Sequence, residues 1–228
     1  MPRENYQRRL DELRDEVVGM GEMVGERFDA AIDAVETGDD SLAREVIEGD
    51  YEVNERYLAI EDECTDLIAL QQPVAGDLRF IAASFKIITD LERVADLATN
   101  IAGYGGPDGG VHSAVNLREL AESAGAMLSD AVAAYETGDA EKCREIAARD
   151  DDFDDRCRRA SEGVVRELLE NDRARDGHER DGEMLEASLD EVSRALLAVR
   201  DLERVADHAV NIAARTLYMV ENDDELIY

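Results

Sequence analysis

Lysine is almost absent from this chain of 228 residues, and positive charge as a whole is scarce. Lysine and arginine number 25 against 56 aspartates and glutamates, so the formal net charge is −31, and only Lys86 and Lys142 are lysines. Such a charge repels a phosphate backbone, which excludes a general nucleic-acid binder, and it argues against docking on an anionic membrane. An arginine-containing, carboxylate-rich surface is typical of halophilic proteins, and a specific acidic interaction face is the alternative.

Cysteine, tryptophan and long apolar runs are also scarce or missing. The three cysteines are odd in number and contain no Cys-x-x-Cys pair, so the sequence predicts neither a disulfide framework nor a structural zinc site. No stretch approaches the roughly 20 apolar residues of a membrane span, and residues 1–16 lack the apolar core of a signal peptide. The prediction is therefore a soluble protein of the cytoplasm.

Helical periodicity, in contrast, is abundant. Across residues 6–35 apolar side chains recur every three or four positions, which predicts one long amphipathic helix. Gly38 and Asp39 then suit the C-cap of this helix and the N-cap of the next. A second helix is expected up to Pro73 and a third over residues 74–103, while no segment alternates as a strand would.

The helical pattern is repeated in the second half of the chain. Glu36–Asp39 recurs as Glu136–Asp139, and Asp90–Ala102 recurs as Asp201–Ala213 with 11 of 13 residues identical, although the flanking residues share none. The sequence therefore predicts an all-α fold of two tandem three-helix bundles, with six long helices in an internal repeat.

Glycine and polar runs indicate where the two bundles meet and differ. Residues 103–110 contain five glycines and a proline without the strand or the Lys–Ser/Thr pair of a P-loop, which indicates a linker. The offset between the copies grows from 100 to 111 residues, so the second copy carries an insertion. We assign the first bundle to residues 1–104, the linker to 105–111, the second bundle to 112–228 and its polar insertion to 171–182.

We call Asp90–Ala102 and Asp201–Ala213 the repeated window. It has the same polar side chains in both copies, which packing alone would not require. In each copy a glutamate, an aspartate and an asparagine follow at four-residue steps and form one stripe on the helix. Like charges at this spacing destabilise a helix by a few tenths of a kcal/mol unless a cation lies between them, and such carboxylates bind hard cations or iron. The stripes are Glu92, Asp96 and Asn100 in the first copy, and Glu203, Asp207 and Asn211 in the second.

The second helix of each bundle adds facing residues to these stripes. Asp50 and Asp150 lie on the apolar seam, and Asn54 and Asp154 follow one turn later. A partly buried aspartate needs a cation or hydrogen-bond donors, because burial of an unpaired charge is costly. The predicted metal ligands are Asp50, Asn54, Glu92 and Asp96 in the first bundle, and Asp150, Asp154, Glu203 and Asp207 in the second.

Two other interpretations of these carboxylates stay open. On a helical wheel the stripe lies about 100–180° from the apolar face, so a solvated face with Arg93 and Arg204 as ion-pair partners would look the same. A carboxylate-bridged metalloenzyme is the other interpretation, but the Glu-x-x-His pairs of ferritin-like di-iron proteins are absent. No catalytic motif is found, and His208, which replaces Leu97 of the first copy, is interpreted as a helix-face residue rather than a ligand.

The doubled Asp-Leu-Glu-Arg-Val-Ala-Asp, at Asp90–Asp96 and Asp201–Asp207, and the run Gln71–Arg79 resemble the PhoU family of phosphate-uptake regulators. This resemblance implies two three-helix bundles, often dimeric, and a negative regulator of phosphate uptake and signalling with no catalytic activity. It also implies a partner in the ATPase subunit of the phosphate ABC transporter and, in many bacteria, in a membrane sensor kinase.

Some members of this family bind iron or zinc through Glu/Asp-xxx-Asp motifs on the third helix of each bundle. Those motifs correspond here to Glu92–Asp96 and Glu203–Asp207, so iron or zinc is the expected metal, with manganese, magnesium and calcium left open. The difference between Asn54 and Asp154 predicts that the two sites are unequal. A metal-free structural adaptor, in which the stripes only solvate the protein, is the remaining alternative.

Overall fold

The computed structural model describes residues 3–71, 73–105, 111–112, 115–174 and 182–227, and its regular structure there is helical throughout. The first unit contains α1 (Arg3–Thr37), α2 (Asp40–Glu48), α3 (Asp50–Gln71) and α4 (Ala75–Ala102). The second unit contains α5 (Leu117–Thr137), α6 (Ala140–Ala148), α7 (Asp150–Ala174) and α8 (Gly182–Glu221). The prediction of an all-α, tandem three-helix architecture is confirmed, with the middle helix of each unit divided into two segments.

The hairpin between the first and middle helices is built in the same way in both units. Gly38 and Gly138 have a positive φ of 68°, a left-handed conformation that only glycine adopts at little cost. Asp39 accepts hydrogen bonds from the backbone N–H groups of Ser41 and Leu42, and Asp139 accepts one from that of Lys142. The predicted glycine C-cap and aspartate N-cap are confirmed.

The break in each middle helix was not predicted from the sequence. α2 ends at Glu48 and α6 ends at Ala148, and the C-cap residues that follow, Gly49 and Arg149, both have a φ near −80° and a ψ near zero. The break makes Asp50 and Asp150 the first residues of α3 and α7. A carboxylate in the first turn is favoured by the helix dipole, so the dipole partly offsets the cost of holding these side chains near the core.

The two units pack as one body. Helices α1, α4, α8 and α5 contact one another in that cyclic order and form a central four-helix bundle. The segments α2 and α3 cover one side of it, on α1 and α4, and α6 and α7 cover the other, on α5 and α8. Inside, the hydroxyl groups of Ser84 and Tyr135 hydrogen-bond at 2.7 Å across the units within a continuous apolar core.

The predicted bounds of the two bundles, the linker and the insertion stay predictions. Residues 106–110 of the linker and 175–181 of the insertion lie outside the described residues. Residues 171–174, assigned to the insertion, continue α7, and Gly182 begins α8. Among the described helices, none combines the length and the apolar character that crossing a bilayer would require.

Candidate metal centre

The second unit brings three carboxylates together where α7 packs on α8. One oxygen of each of Asp150, Asp154 and Asp207 lies within 4.8 Å of the other two. Asp150 and Asp154 are half-buried and Asp207 is exposed. The Oδ1 atoms of Asp150 and Asp154 are buried, and no described residue hydrogen-bonds to them. Buried carboxylate oxygens without a donor are costly, so this geometry fits a cation that the oxygens would coordinate.

The helices place these carboxylates through the apolar residues beside them. Phe153 and Cys157 on α7 are almost fully buried, at 2% and 1% exposure, and they fix the rotation of the helix. The side chains of Asp150 and Asp154 then lie at the edge of this buried face. On α8, the buried Ala206 orients its neighbour Asp207 in the same way. The ligand-capable side chains are therefore held by rigid helices rather than by loops, which favours a preorganised site.

Burial, and after it mutual repulsion, raises the pKa values of the second-unit carboxylates. Burial, followed by the charges of Asp154 and Asp207, raises the pKa of Asp150 to about 6. Burial and the charge of Asp154 also raise the pKa values of Glu203 and Asp207. The fourth predicted ligand, Glu203, is therefore electrostatically part of the group, although it lies outside the closest three. We call Asp150, Asp154, Glu203 and Asp207 the second cluster.

The corresponding residues of the first unit, Asp50, Asn54, Glu92 and Asp96, form the first cluster. Its geometry differs, because the Asn54 side-chain amide donates a hydrogen bond of 2.8 Å to Asp50 Oδ2. Burial raises the pKa values of Glu92 and Asp96, with the charge of Asp50 contributing to both. Within the described residues of this unit, no three carboxylate, histidine or cysteine side chains approach as closely as in the second cluster.

The arginines of the repeated window behave differently in the two units. The Arg93 guanidinium lies 3.7 Å from Glu92 and 3.9 Å from Asp96, so it partly neutralises the first cluster. Arg204, its counterpart, lies 3.7 Å from the buried Asp201 instead. The solvated-face interpretation thus describes the first cluster better than the second, where no arginine lies within ion-pair distance among the described residues.

The structure also reveals polar contacts between the units that sequence reasoning missed. His208 Nδ1 lies 2.9 Å from Asp90 Oδ1, and the Asn211 amide donates to the same oxygen at 3.4 Å. The Tyr104 hydroxyl donates to the fully buried Asp201 at 2.8 Å. Asp90 and Asp201 are the first residues of the two copies of the repeated window. The presence of aspartate at this position in both copies was the sequence signal that could have indicated these contacts. The asparagine Asn211 of the predicted stripe therefore faces the other unit rather than the second cluster.

Comparison with known families agrees with this two-unit architecture. The family model of the PhoU domain matches the chain twice, at residues 17–104 and 117–216. The chain belongs to the PhoU domain family. The two matches fall on the first unit and the second unit, so each PhoU match corresponds to one three-helix bundle.

Several PhoU proteins are similar in sequence to almost the whole chain. The phosphate-specific transport system accessory protein PhoU of Escherichia coli (strain K12) is 32% identical over 94% of this chain and 85% of its own length. A PhoU homolog of Pseudomonas putida is 30% identical over 97% of this chain and 82% of its own. PhoU homolog 1 of Methanothermobacter thermautotrophicus is 30% identical over 96% and 95%.

Solved PhoU structures have the same fold. The crystal structure of PhoU from Pseudomonas aeruginosa superposes with a TM-score of 0.84 at 28% identity, covering 96% of this chain and all of that one. The structure of the phosphate transport system regulatory protein PhoU from Streptococcus pneumoniae gives 0.81 at 26% identity, with 96% and 98% covered.

Proposed function

We propose that this chain is a non-catalytic accessory regulator of phosphate transport that lowers phosphate uptake and signalling by binding a partner. The observation that supports this most is the similarity, across at least 94% of the chain, to accessory proteins of phosphate-specific transport systems. Function by binding also fits a molecule built of packed helices that carries the first and second clusters of polar side chains. The cytoplasm is the location that this proposal assumes.

The proposed partner is the ATPase subunit of the phosphate ABC transporter, with a sensor kinase as the second candidate where the organism has one. We further propose that the regulator is a homodimer and that it binds a metal, iron or zinc first, mainly at the second cluster. The metal would neutralise the second cluster, cross-link α7 to α8 and so hold that face of the second unit in one conformation.

Purified components test both parts of this proposal. The chain, loaded with Fe²⁺ or Zn²⁺ or stripped by chelator, is passed over the immobilised ATPase subunit from the same organism. A variant of the second cluster (Asp150→Asn, Asp154→Asn, Glu203→Gln, Asp207→Asn) is compared with a matched variant of the first (Asp50→Asn, Glu92→Gln, Asp96→Asn). We expect binding by the metal-loaded wild type and a larger loss in the second-cluster variant than in the first.

The outcomes separate the parts. If the metal-loaded wild type does not bind the ATPase subunit, this partner is wrong. If it binds equally well after chelation and in both variants, the metal-free adaptor is the better description. Elemental analysis of untagged protein purified in high salt without chelator tests the metal independently. Iron or zinc that is stoichiometric in the wild type and lost in the second-cluster variant is the expected result.

A further inference from the structure

A groove of about 760 Å³ runs along the face where α1 packs on α5. This α1–α5 groove lies on the opposite side of the central bundle from the α4–α8 contact. Its floor is apolar and includes Val18, Phe28, Leu128 and Val132. It follows α1 for about 17 Å and α5 for about 20 Å at 1.5 Å per residue, a length that matches three to four turns of a docked helix.

The rim of the groove is acidic. Its carboxylates are exposed, and within the described part of the chain none of them forms an ion pair or a side-chain hydrogen bond. The described residues that line the groove include no lysine or arginine. Burial and the charge of Asp33 raise the pKa of one of them, Asp29, and the charge of Arg118 offsets this only in part. The rim carboxylates are Glu22, Glu26, Asp29, Glu122 and Glu136.

Gly25 lies in this groove without a structural reason of its own. A Cβ atom added there would meet no atom of the described residues within 4 Å, whereas one added at Gly21 would lie 2.7 Å from Val132. Gly21 therefore allows α1 and α5 to approach, but Gly25 does not serve packing within the chain. A glycine in a helix interior is less favourable than alanine, so the fold alone would favour alanine at this position. The open space above Gly25 is what a docked side chain would need.

We propose that the α1–α5 groove binds one amphipathic helix of a partner protein, with an apolar stripe that faces the floor and flanking arginines or lysines that pair with the rim. An apolar groove between two helices is a common receptor for such a helix. The unpaired carboxylates supply the complementary charge, and they select the register of the bound helix. This inference concerns a different face from the clusters, and it does not depend on the proposed function.

A second copy of this chain fits the groove less well. Apposing two such grooves would bring two acidic rims together, and the chain as a whole carries 56 acidic against 25 basic residues. Like charges directly apposed across an interface oppose association. The occupant that the charges favour is therefore a basic helix of another protein.

A synthetic peptide tests this proposal directly. The probe is a fluorescent 16-residue helix with leucines on one face and arginines and lysines on its flanks, titrated by anisotropy at the lowest salt that preserves the fold. Gly25→Phe fills the groove without changing its charge. Gly76→Phe is the matched control, because a Cβ atom added at Gly76 also meets no described atom within 4 Å, and Gly76 lies on α4 outside the groove. A peptide of the same composition with its leucines spread around the helix controls for bulk charge.

We expect the wild type and Gly76→Phe to bind the amphipathic peptide equally, and Gly25→Phe to bind it at least tenfold more weakly. Gly25→Ala should raise the melting temperature and retain binding. Circular dichroism and the melting temperature of Gly25→Phe establish that it is folded. Equal binding by Gly25→Phe, equal binding of the scrambled peptide, or no binding to the wild type would each overturn the proposal. So would a dimer that Gly25→Phe converts to a monomer, because the groove would then join two copies.

Discussion

In the first unit the Asn54 amide donates a hydrogen bond to Asp50, whereas the second unit has a carboxyl group, Asp154, at the equivalent place and no described residue donates to the buried Oδ1 of Asp150. The repeated window around both clusters is otherwise nearly identical. A single side chain thus separates a cluster whose aspartate has a protein partner from one whose buried oxygens have no donor among the described residues. Since an unsatisfied buried charge is costly, the second cluster is the one that a cation would stabilise more.

The comparison of the two clusters also concerns the surrounding arginines. Arg93 lies beside the carboxylates of its own cluster, whereas Arg204 lies beside Asp201. The first cluster therefore has three carboxylates and an arginine at ion-pair distance, and the second has four carboxylates with no arginine or lysine at that distance among the described residues. An internal repeat can preserve ligands in both copies and still produce two sites of unequal strength.

Removal of a second-cluster ligand is expected to have the largest effect. Asp154→Ala should weaken the binding of Zn²⁺ or Mn²⁺ by about tenfold or more, since it deletes one of three converging ligands. Asn54→Ala, the matched change in the first unit, should change the affinity of the tighter site by less than about threefold. Isothermal titration calorimetry measures both, and equal losses in the two variants would contradict the inequality of the clusters.

Exchange of the distinguishing residue should make the clusters more alike. Asn54→Asp removes the hydrogen bond to Asp50 and adds a fourth carboxylate, so it should add metal bound by the first unit. Without metal it should lower the free energy of unfolding by about 1 kcal/mol, a fall in melting temperature of about 2–4 °C. Asp154→Asn should do the reverse. Thermal melts in chelator check both variants, and a stabilised Asn54→Asp would refute this account.

The metal-free protein should depend on pH through Asp150. Burial and Asp154 raise its pKa to about 6 from 3.8, so the folded state takes up this proton more readily than the unfolded state. Its contribution to the free energy of unfolding therefore grows as pH falls from about 7 to about 4, and it is complete below the unfolded pKa. The difference between wild type and Asp150→Asn in chemical denaturation isolates it. A difference that is constant with pH would contradict the raised pKa.

The contact between the units should give the smallest effect. His208→Leu installs the residue that the first copy has at position 97, and it removes the partner of Asp90. We expect the free energy of unfolding to fall by about 1 kcal/mol or less, because both side chains are only partly buried. Metal affinity at the two clusters should be unchanged. A larger decrease of the free energy of unfolding, measured by chemical denaturation, would mean that this pair stabilises the α4–α8 contact more than its exposure suggests.

Much of the local structure could be predicted because it depends on short sequence distances. Gly38 and Asp39 end one helix and begin the next through contacts within a few residues, and both roles were predicted. The four-residue spacing of Glu203 and Asp207 likewise places them on one side of a helix. The break before Asp150 was not predicted, since a change of φ and ψ at Arg149 leaves little trace in an apolar pattern.

The exposure of the clusters could not be read from a single helix. The wheel placed Glu92 and Glu203 toward solvent, yet both are half-buried, because the middle helix of each unit packs beside them. Likewise the contact between Asp90 and His208 joins residues 118 positions apart. Such contacts depend on which helix faces which, and a helical period carries no information about its neighbour.

The sequence by itself determined the helices, their caps, the internal repeat, the family and the residues that compose both clusters. These follow from spacing and side-chain chemistry within one or two turns, together with the repetition of a motif. Only the tertiary structure decided that α1, α4, α8 and α5 share one core, that three carboxylates of the second cluster converge, and that a groove opens at Gly25. The reason is that burial and convergence arise when apolar faces from distant parts of the chain pack together.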